Sequence, residues 1–415
     1  MRSFKLAFIS VAAMSACFVY GVGVGVFKWF PYDYLKKAKQ EISHLVSSKP
    51  KPNLTLKPNS ASNLGYWRAL NMLGDNQEAT SNISKNYLNN FVFSWSRVDD
   101  PGIKKTADIK FVKDSIFYIN QNDPEILSRL GLTDENMANN AGVKSVFEFD
   151  NQTFAYIAYV RKDCATADLV SLDNKEVLLN LGCIDPLYAD LNGVGGAHLT
   201  LNKNEFLLTT GTPTVEHVED IINQNAQNDK SYWGKILKFK KIGCSFEVSI
   251  YLKGHRNPQG IFKSKDKIYS VEHGPRGGDE INEIIEGNNY GWPYQSFGSE
   301  YDLSTINKNP DNMIDYMNPL YAFLPSIGIS YINECPRDYA AYYKPFDCLA
   351  VSSMRAGAIF FIVFDKSKVL FSERIDIGSR IRKFVVNDNR IVAVTDYDGV
   401  IIGVIESQQN YIDKN

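Results

Sequence analysis

Between residues 254 and 293 the chain concentrates groups that bind ions. The stretch holds Gly254-His255-Arg256-Asn257-Pro258-Gln259-Gly260, then Glu272-His273-Gly274-Pro275-Arg276-Gly277-Gly278-Asp279-Glu280-Ile281-Asn282, then Asn289-Tyr290-Gly291-Trp292-Pro293. Glycine and proline fix tight turns, and tight turns let main-chain carbonyls converge on one point. Such carbonyls, with carboxylates close by, are the oxygen donors that a hard cation takes. Arg256 and Asn257 at a loop tip suit planar, bidentate recognition of a carboxylate. The plain alternative is a turn-rich surface of solvated charges; three such motifs in 40 residues weigh against it.

These loops need strands to hold them. A theme of apolar residues, polar turn and alternating apolar strand recurs at 111–120, 149–160, 199–211, 261–274, 346–354 and 384–396, with second strands centred near 117, 154, 206, 268, 349 and 391. One hairpin cannot bury both of its faces, whereas six sheets around an axis can. The pattern predicts an all-β, radially repeated body over 65–410, a six-bladed β-propeller; a sandwich is the alternative, for which the spacing is long. Long helical periodicity is absent there, which disfavours a doubly wound α/β fold.

The chain has 415 residues, 44% hydrophobic and 22% charged, with 45 basic and 47 acidic side chains. Disordered and collagen-like chains are excluded, and no basic excess exists to track a phosphate backbone, so nucleic acid is not an expected partner. Residues 6–27 form a 22-residue run without charge, LAFISVAAMSACFVYGVGVGVF, long enough to cross a bilayer. The expectation is one N-terminal transmembrane helix, an uncleaved anchor over 1–28; a lipoprotein-type site at Met14-Ser15-Ala16-Cys17 is the alternative, although the residues after Cys17 stay apolar. Residues 29–64 read as a short juxtamembrane helix followed by a Pro/Ser-rich linker. The lysines after the run outnumber the basic residues before it, which by charge count favours a cytoplasmic body. Cys164–Cys183 and Cys335–Cys348 are spaced to close short loops in an oxidising space; small buried thiols are the equal alternative.

The 254–293 stretch closely resembles the soluble glucose/sorbosone (aldose sugar) dehydrogenases that depend on pyrroloquinoline quinone (PQQ). Their motifs GHRNPQG, EHGPRGGDEIN and NYGWP are present as written. The resemblance continues at Pro325-Ser326-Ile327-Gly328, Ser353-Met354-Arg355, Arg380-Ile381-Arg382 and Thr395-Asp396. Upstream it loosens through Thr210-Gly211 and Gly195-Gly196, and before about residue 185 it is not recognisable. It implies a six-bladed propeller and assigns roles residue by residue. Arg256 and Asn257 match a pair contacting PQQ, Arg380 and Arg382 match arginines facing its carboxylates and quinone, and Arg355 stands where some members carry lysine. The carbonyls of Gly274 and Pro275 match those holding a calcium that touches PQQ, and Glu280 and Tyr290 match a second, structural calcium site.

The chain also departs from the pattern. The family's catalytic histidine position is Gly193, and the aspartate that orients it is replaced by Thr212. His198 and His217 are weak substitutes, and His273 is another candidate; His255 reads as a brace for its loop. Five residues of extended chain between Gly193 and His198 span about 16 Å and reverse the face. Three functions stay open. The first is a membrane-tethered, periplasmic PQQ- and calcium-dependent oxidoreductase acting on an aldose and passing electrons to a membrane quinone or cytochrome; members working outside the cytoplasm favour export over the charge count. The second is a cofactor- or glycan-binding propeller without turnover, and the third a calcium-dependent lactonase-type hydrolase.

Overall fold

The computed structural model describes residues 66–70, 83–99, 102–112, 115–213, 221–299, 303, 306, 316–397 and 399–414. The anchor expected over 1–28 and the helix and linker expected over 29–64 lie outside the described residues, as does His217. Among the described residues no helix is long and apolar enough to cross a membrane.

The described chain folds into six antiparallel sheets, four of them four-stranded. The second strand of each predicted hairpin is present, and each lies in a different sheet: Ser115–Asn120, Gln152–Arg161, Glu205–Thr210, Lys267–Glu272, Asp347–Ser353 and Arg390–Thr395. Their partners on one edge are the first strands Thr106–Val112, Gly142–Phe149, Gly195–Asn202, Pro258–Ser264, Ile329–Glu334 and Ile381–Asn387. Each first strand neighbours the next, and Ile381–Asn387 returns to Thr106–Val112, so the six close a ring. The fold is therefore all-β and propeller-like.

Closure draws on both ends of the described chain. Phe91–Val98 pairs antiparallel with Val400–Ser407, from Val98 opposite Val400 to Phe91 opposite Ser407, and Ser84–Tyr87 adds the outer edge of that sheet. Fastening an early strand to the last one gives the ring no free seam.

Stacking explains the burial pattern. Sheets packed face to face leave a middle strand no solvent side, so Phe206, Leu207, Leu208, Thr209 and Thr210 are all buried in sequence. Apolar clusters span neighbouring sheets: Phe154 and Phe206 share one, and Phe206 stacks on Phe239 at 4.6 Å between ring centroids. Tyr269, Val271, Leu349 and Val351 share another. Polar groups meet where the first strands converge. Lys383 Nζ lies 3.2 Å from Asp108 Oδ1, both buried, and 5.3 Å from the centre of the Tyr331 ring, which joins three of the six sheets.

Both cysteine pairs form disulfides, Cys164–Cys183 and Cys335–Cys348, while Cys244 is free and exposed on a hairpin.

Candidate functional site

The antiparallel register gathers the sequence motifs at one end of the hairpins. In an antiparallel pair, residues entering the first strand lie beside those leaving the second. Pro258 pairs with Glu272, so Arg256 and Asn257 lie beside Glu272 and His273. Ile381 pairs with Thr395, so Arg380 lies beside Asp396. Gly195 pairs with Thr210, bringing Gly193 to Thr212, and Ile329 pairs with Ser353, bringing Gly328 to Arg355. Segments more than a hundred residues apart thus reach one face of the ring.

Three arginines, Arg256, Arg380 and Arg382, stand at that end of the hairpins. Burial pulls His273 below the ordinary imidazole range and these three guanidinium groups add to that, while Asp279 opposes them from 3.9 Å. Arg256 donates to the His273 carbonyl at 3.5 Å and lies 5.5 Å from the Trp292 ring centre. Arg380 and Arg382 both donate to Asp396. Arg380 also reaches Met354 Sδ at 3.6 Å, next to exposed Arg355, so Arg355 stands at the rim rather than inside the cluster. The Asn257 side chain is buried, and its Oδ1 accepts from Gly195 N at 3.3 Å and Gln259 Nε2 at 2.6 Å. It splices two loops together.

Asp279 ties the glycine loop down. Its carboxylate accepts from Gly274 N at 3.1 Å, Ser326 Oγ at 2.8 Å, Gly328 N at 2.6 Å and Ile329 N at 2.9 Å. Gly274 must be glycine, because a Cβ there would overlap the carbonyl oxygens of Gly277 and Gly278. Pro275 follows, half-buried.

Gly274, Glu280 and Tyr290 line one small cavity together with Glu272 and Gly254. It holds about 10 Å³, close to a single water-sized occupant. Two carboxyl groups share it. Burial, then Glu272, push Glu280 up to about 8. Burial would raise Glu272 too, but the His255 ring at 2.7 Å and the amides of Arg256 and Asn257 hold it below the carboxylate range. Asn282 bridges the pair, donating to Glu272 Oε1 at 3.1 Å and Glu280 Oε2 at 3.2 Å. Its buried Oδ1 has no hydrogen-bond partner among the described residues. An ion-sized hole with two carboxyls fits a hard cation. Among the described residues no group of three or more His, Cys, Asp or Glu could hold a metal, so the fit rests on these two carboxyls and on main-chain oxygens.

At Gly193 no side chain enters the site. Thr212, in the orienting position, is buried; its hydroxyl accepts from Trp292 Nε1 at 3.0 Å and donates to the Arg256 carbonyl at 3.4 Å. His198 is turned to other work. Its ring stacks on Phe147 at 4.2 Å, burial pulls it down to about 4, and no hydrogen bond or ion pair among the described residues joins it to the three arginines. His255 is fully buried against Glu272 and Tyr290, a brace as expected.

The sequence reading gave no role to Glu272, Asp279, Asp396 or Lys144. The first three stand inside or next to quoted motifs, where the strand pairing supplies the roles that order alone does not. Lys144 had a signal, a lysine within the apolar strand Gly142-Val143-Lys144-Ser145-Val146-Phe147.

A ring of sheets with arginines and a carboxyl-lined, ion-sized cavity at one end of its hairpins defines a propeller-like protein. The glucose/sorbosone dehydrogenase profile matches residues 140–403, and the chain belongs to that family. It is 41% identical over 92 residues to the quinoprotein glucose dehydrogenase B of Acinetobacter calcoaceticus, 20% of this chain and 18% of that protein. The curated relatives it matches are covered over less than two fifths of their length. Among solved structures it resembles the soluble aldose sugar dehydrogenase of Escherichia coli in its apo-form, with a TM-score of 0.58 at 17% identity over 76% of this chain and 100% of that one. It also resembles the PQQ-bound aldose sugar dehydrogenase of Streptomyces coelicolor, with a TM-score of 0.52 at 15% identity over 76% and 98%. At these identities the likeness shows the fold.

Proposed function

We propose that this protein is a six-bladed, PQQ- and calcium-dependent oxidoreductase that oxidises an aldose or a related sugar. The placement of Arg256, on the His273 carbonyl, and of Arg380 and Arg382, both held by Asp396, at the same end of their hairpins carries this reading. A flat tricarboxylate needs several fixed cations, and a guanidinium offers paired N–H groups in the geometry of a carboxylate. Arg256, Arg380 and Arg382 would hold PQQ, with Arg355 at the rim and Asn257 keeping the Arg256 loop in register. One calcium would take the carbonyls of Gly274 and Pro275 beside the quinone, and a second the Glu272–Glu280 cavity with an oxygen from Tyr290. When bound, the quinone supplies the oxidant for a carbinol, and calcium polarises it.

This chain's residues perform the rest. Asp396 orients Arg380 and Arg382, Asp279 anchors the loop between Gly274 and Gly278, and His273 presents a neutral ring among the cations. The disulfides Cys164–Cys183 and Cys335–Cys348 support work in an oxidising space outside the cytoplasm. In this reading residues 6–27 tether the body to the membrane, close to a quinone or cytochrome that accepts the electrons.

A second reading, binding without turnover, draws on Gly193 and Thr212. Titration with PQQ and calcium, followed by dye-coupled oxidation of an aldose panel, tests both. PQQ binding with oxidation establishes the dehydrogenase, binding without oxidation establishes the second reading in its cofactor-binding form, and absence of PQQ binding overturns both of these.

A further inference from the structure

Lys144 is a charged residue where the ring of first strands should be apolar or spliced by hydrogen bonds. The pairing of Gly142–Phe149 with Gln152–Arg161 shifts register between Val143 and Ser145, which leaves Lys144 as the extra residue of a bulge. Bulges re-aim side chains. Lys144 is 9% exposed, and its Nζ donates to the Asn140 carbonyl at 2.8 Å. Asn140 in turn donates from Nδ2 to Asp190 Oδ1 at 3.0 Å, and Asp190 caps the turn Leu191–Gly193 through Asn192 N at 3.0 Å. The stem of Lys144 lies flat against Gly196: a Cβ on that glycine, which has φ +118°, would come within 2.7 Å of Lys144 Cβ. Behind the loop, Tyr156 pins Val194 through a 3.0 Å bond to its carbonyl. Gly195, the neighbour of Gly196, donates to Asn257 Oδ1 at 3.3 Å, next to Arg256 in sequence. Lys144 is thus packed on the turn that runs from Gly193 to Gly196, beside the loop of Arg256 and Asn257.

We propose that Lys144 takes the hydroxyl proton of the substrate, the role for which Gly193 has no side chain. The inference rests on the quinone-dependent oxidation proposed above. The step balances as follows. The substrate carbinol loses its C–H hydrogen with the electron pair as hydride to the quinone, which is reduced; its O–H proton passes to the neutral Lys144 amine; the carbon becomes a carbonyl. The surroundings favour a neutral amine. Burial, then Arg382, pull Lys144 down to about 7, Lys105 adds to the pull, and Asp190 opposes it. The neighbouring Tyr156 phenol is raised well above its ordinary value and stays uncharged.

The test uses the full chain with PQQ and calcium, unaltered and as Lys144→Met and Lys144→Arg. A general base contributes about 10²–10⁴-fold, so both variants should lose kcat on that order; Lys144→Met keeps the chain length without a proton acceptor, and its unchanged PQQ affinity and melting temperature control for folding. A second readout needs no cofactor: NMR titration of the Lys144 Cε signal, assigned by its loss in Lys144→Met, should show a midpoint near 7. A midpoint near the ordinary value of about 10.4, or full kcat in Lys144→Met, overturns the inference while leaving the quinone reading intact. PQQ binding by the unaltered protein without oxidation overturns it as well. Absence of PQQ binding overturns the quinone reading itself and the inference with it.

Discussion

Arg382 donates from Nε to Asp396 Oδ1 at 2.5 Å, and Asp396 Oδ2 receives Arg380 Nε at 2.9 Å. One carboxylate, 1% exposed, therefore aims two guanidinium groups from the end of a single hairpin. Burial alone would raise Asp396, but Arg382 and Arg380 outweigh it and hold the group below its ordinary value. Asp396→Asn keeps the shape and removes the charge. Hydrogen bonds to charged groups contribute about 1.5–3 kcal/mol, so PQQ affinity should fall roughly ten- to hundredfold, read by absorbance titration. The same pair makes stability acid-sensitive. Because the folded value lies below the unfolded one, the contribution is present above about pH 4 and is lost as pH falls through the folded value. Melting curves of Asp396→Asn and the unaltered chain should converge at low pH; parallel curves would reject the assignment.

Glu280 gives the opposite sign. Its folded value is raised to about 8, above an unfolded value of about 4.3. In that window the folded state binds more protons than the unfolded one, so stability of the metal-free protein declines as pH rises through it. Calcium in the Glu272–Glu280 cavity replaces the proton. We expect added calcium to raise Tm more at pH 8 than at pH 5, and Glu280→Gln to remove both the decline and the calcium effect. A calcium shift that is equal at the two pH values, or that survives in Glu280→Gln, counts against this cavity as the cation site.

Much of this was legible in the chain. Each predicted second strand, from the one near 117 to the one near 391, stands in its own sheet, because the alternation that marks it is the same burial that builds it. The motif residues Arg256 and Arg380 were legible as cations, and their place at one end of the hairpins followed from register. Other features were hidden for physical reasons. The strands Ser84–Tyr87 and Phe91–Val98 carry no turn signal linking them to Val400–Ser407, since the pairing spans the length of the body. Lys144 escaped because a bulge, invisible to a period of two, decides where it points. His198 was only a weak candidate in sequence, and stacking on Phe147 employs its ring.

The polar contact at the ring's centre should be a stability determinant rather than a binding one. Asp108 Oδ1 pairs with Lys383 Nζ at 3.2 Å and accepts from Ile109 N at 2.9 Å, and Asp108 Oδ2 accepts from Val146 N at 3.3 Å. Removing one member of a buried pair strands the other, at about 3–5 kcal/mol. Asp108→Ala should lower the urea midpoint accordingly, with the slope unchanged, while Asp108→Ala/Lys383→Met recovers part of the loss. A single variant as stable as the parent would show that the pair contributes nothing net.

Gly193 offers a way to restore what the family position lacks. The residue is not in the left-handed region, and a Cβ there would lie 3.1 Å from Pro213 Cα and 3.4 Å from the Thr212 carbonyl, tight but open to small adjustment. Gly211 is the contrast, because a Cβ on it would overlap the Gly193 carbonyl oxygen outright. A histidine at 193 would therefore enter beside the Arg256 loop, and Gly211→Ala should disrupt that same loop. With Lys144→Met as the background, Gly193→His should regain at least about tenfold in kcat, with a pH limb near the imidazole value of about 6.5. Thr212→Asp added to it would orient the ring and raise kcat further, at the expense of the bond now made to Trp292 Nε1. No gain from either substitution, with PQQ still bound, would mean that the substrate hydroxyl does not approach this turn.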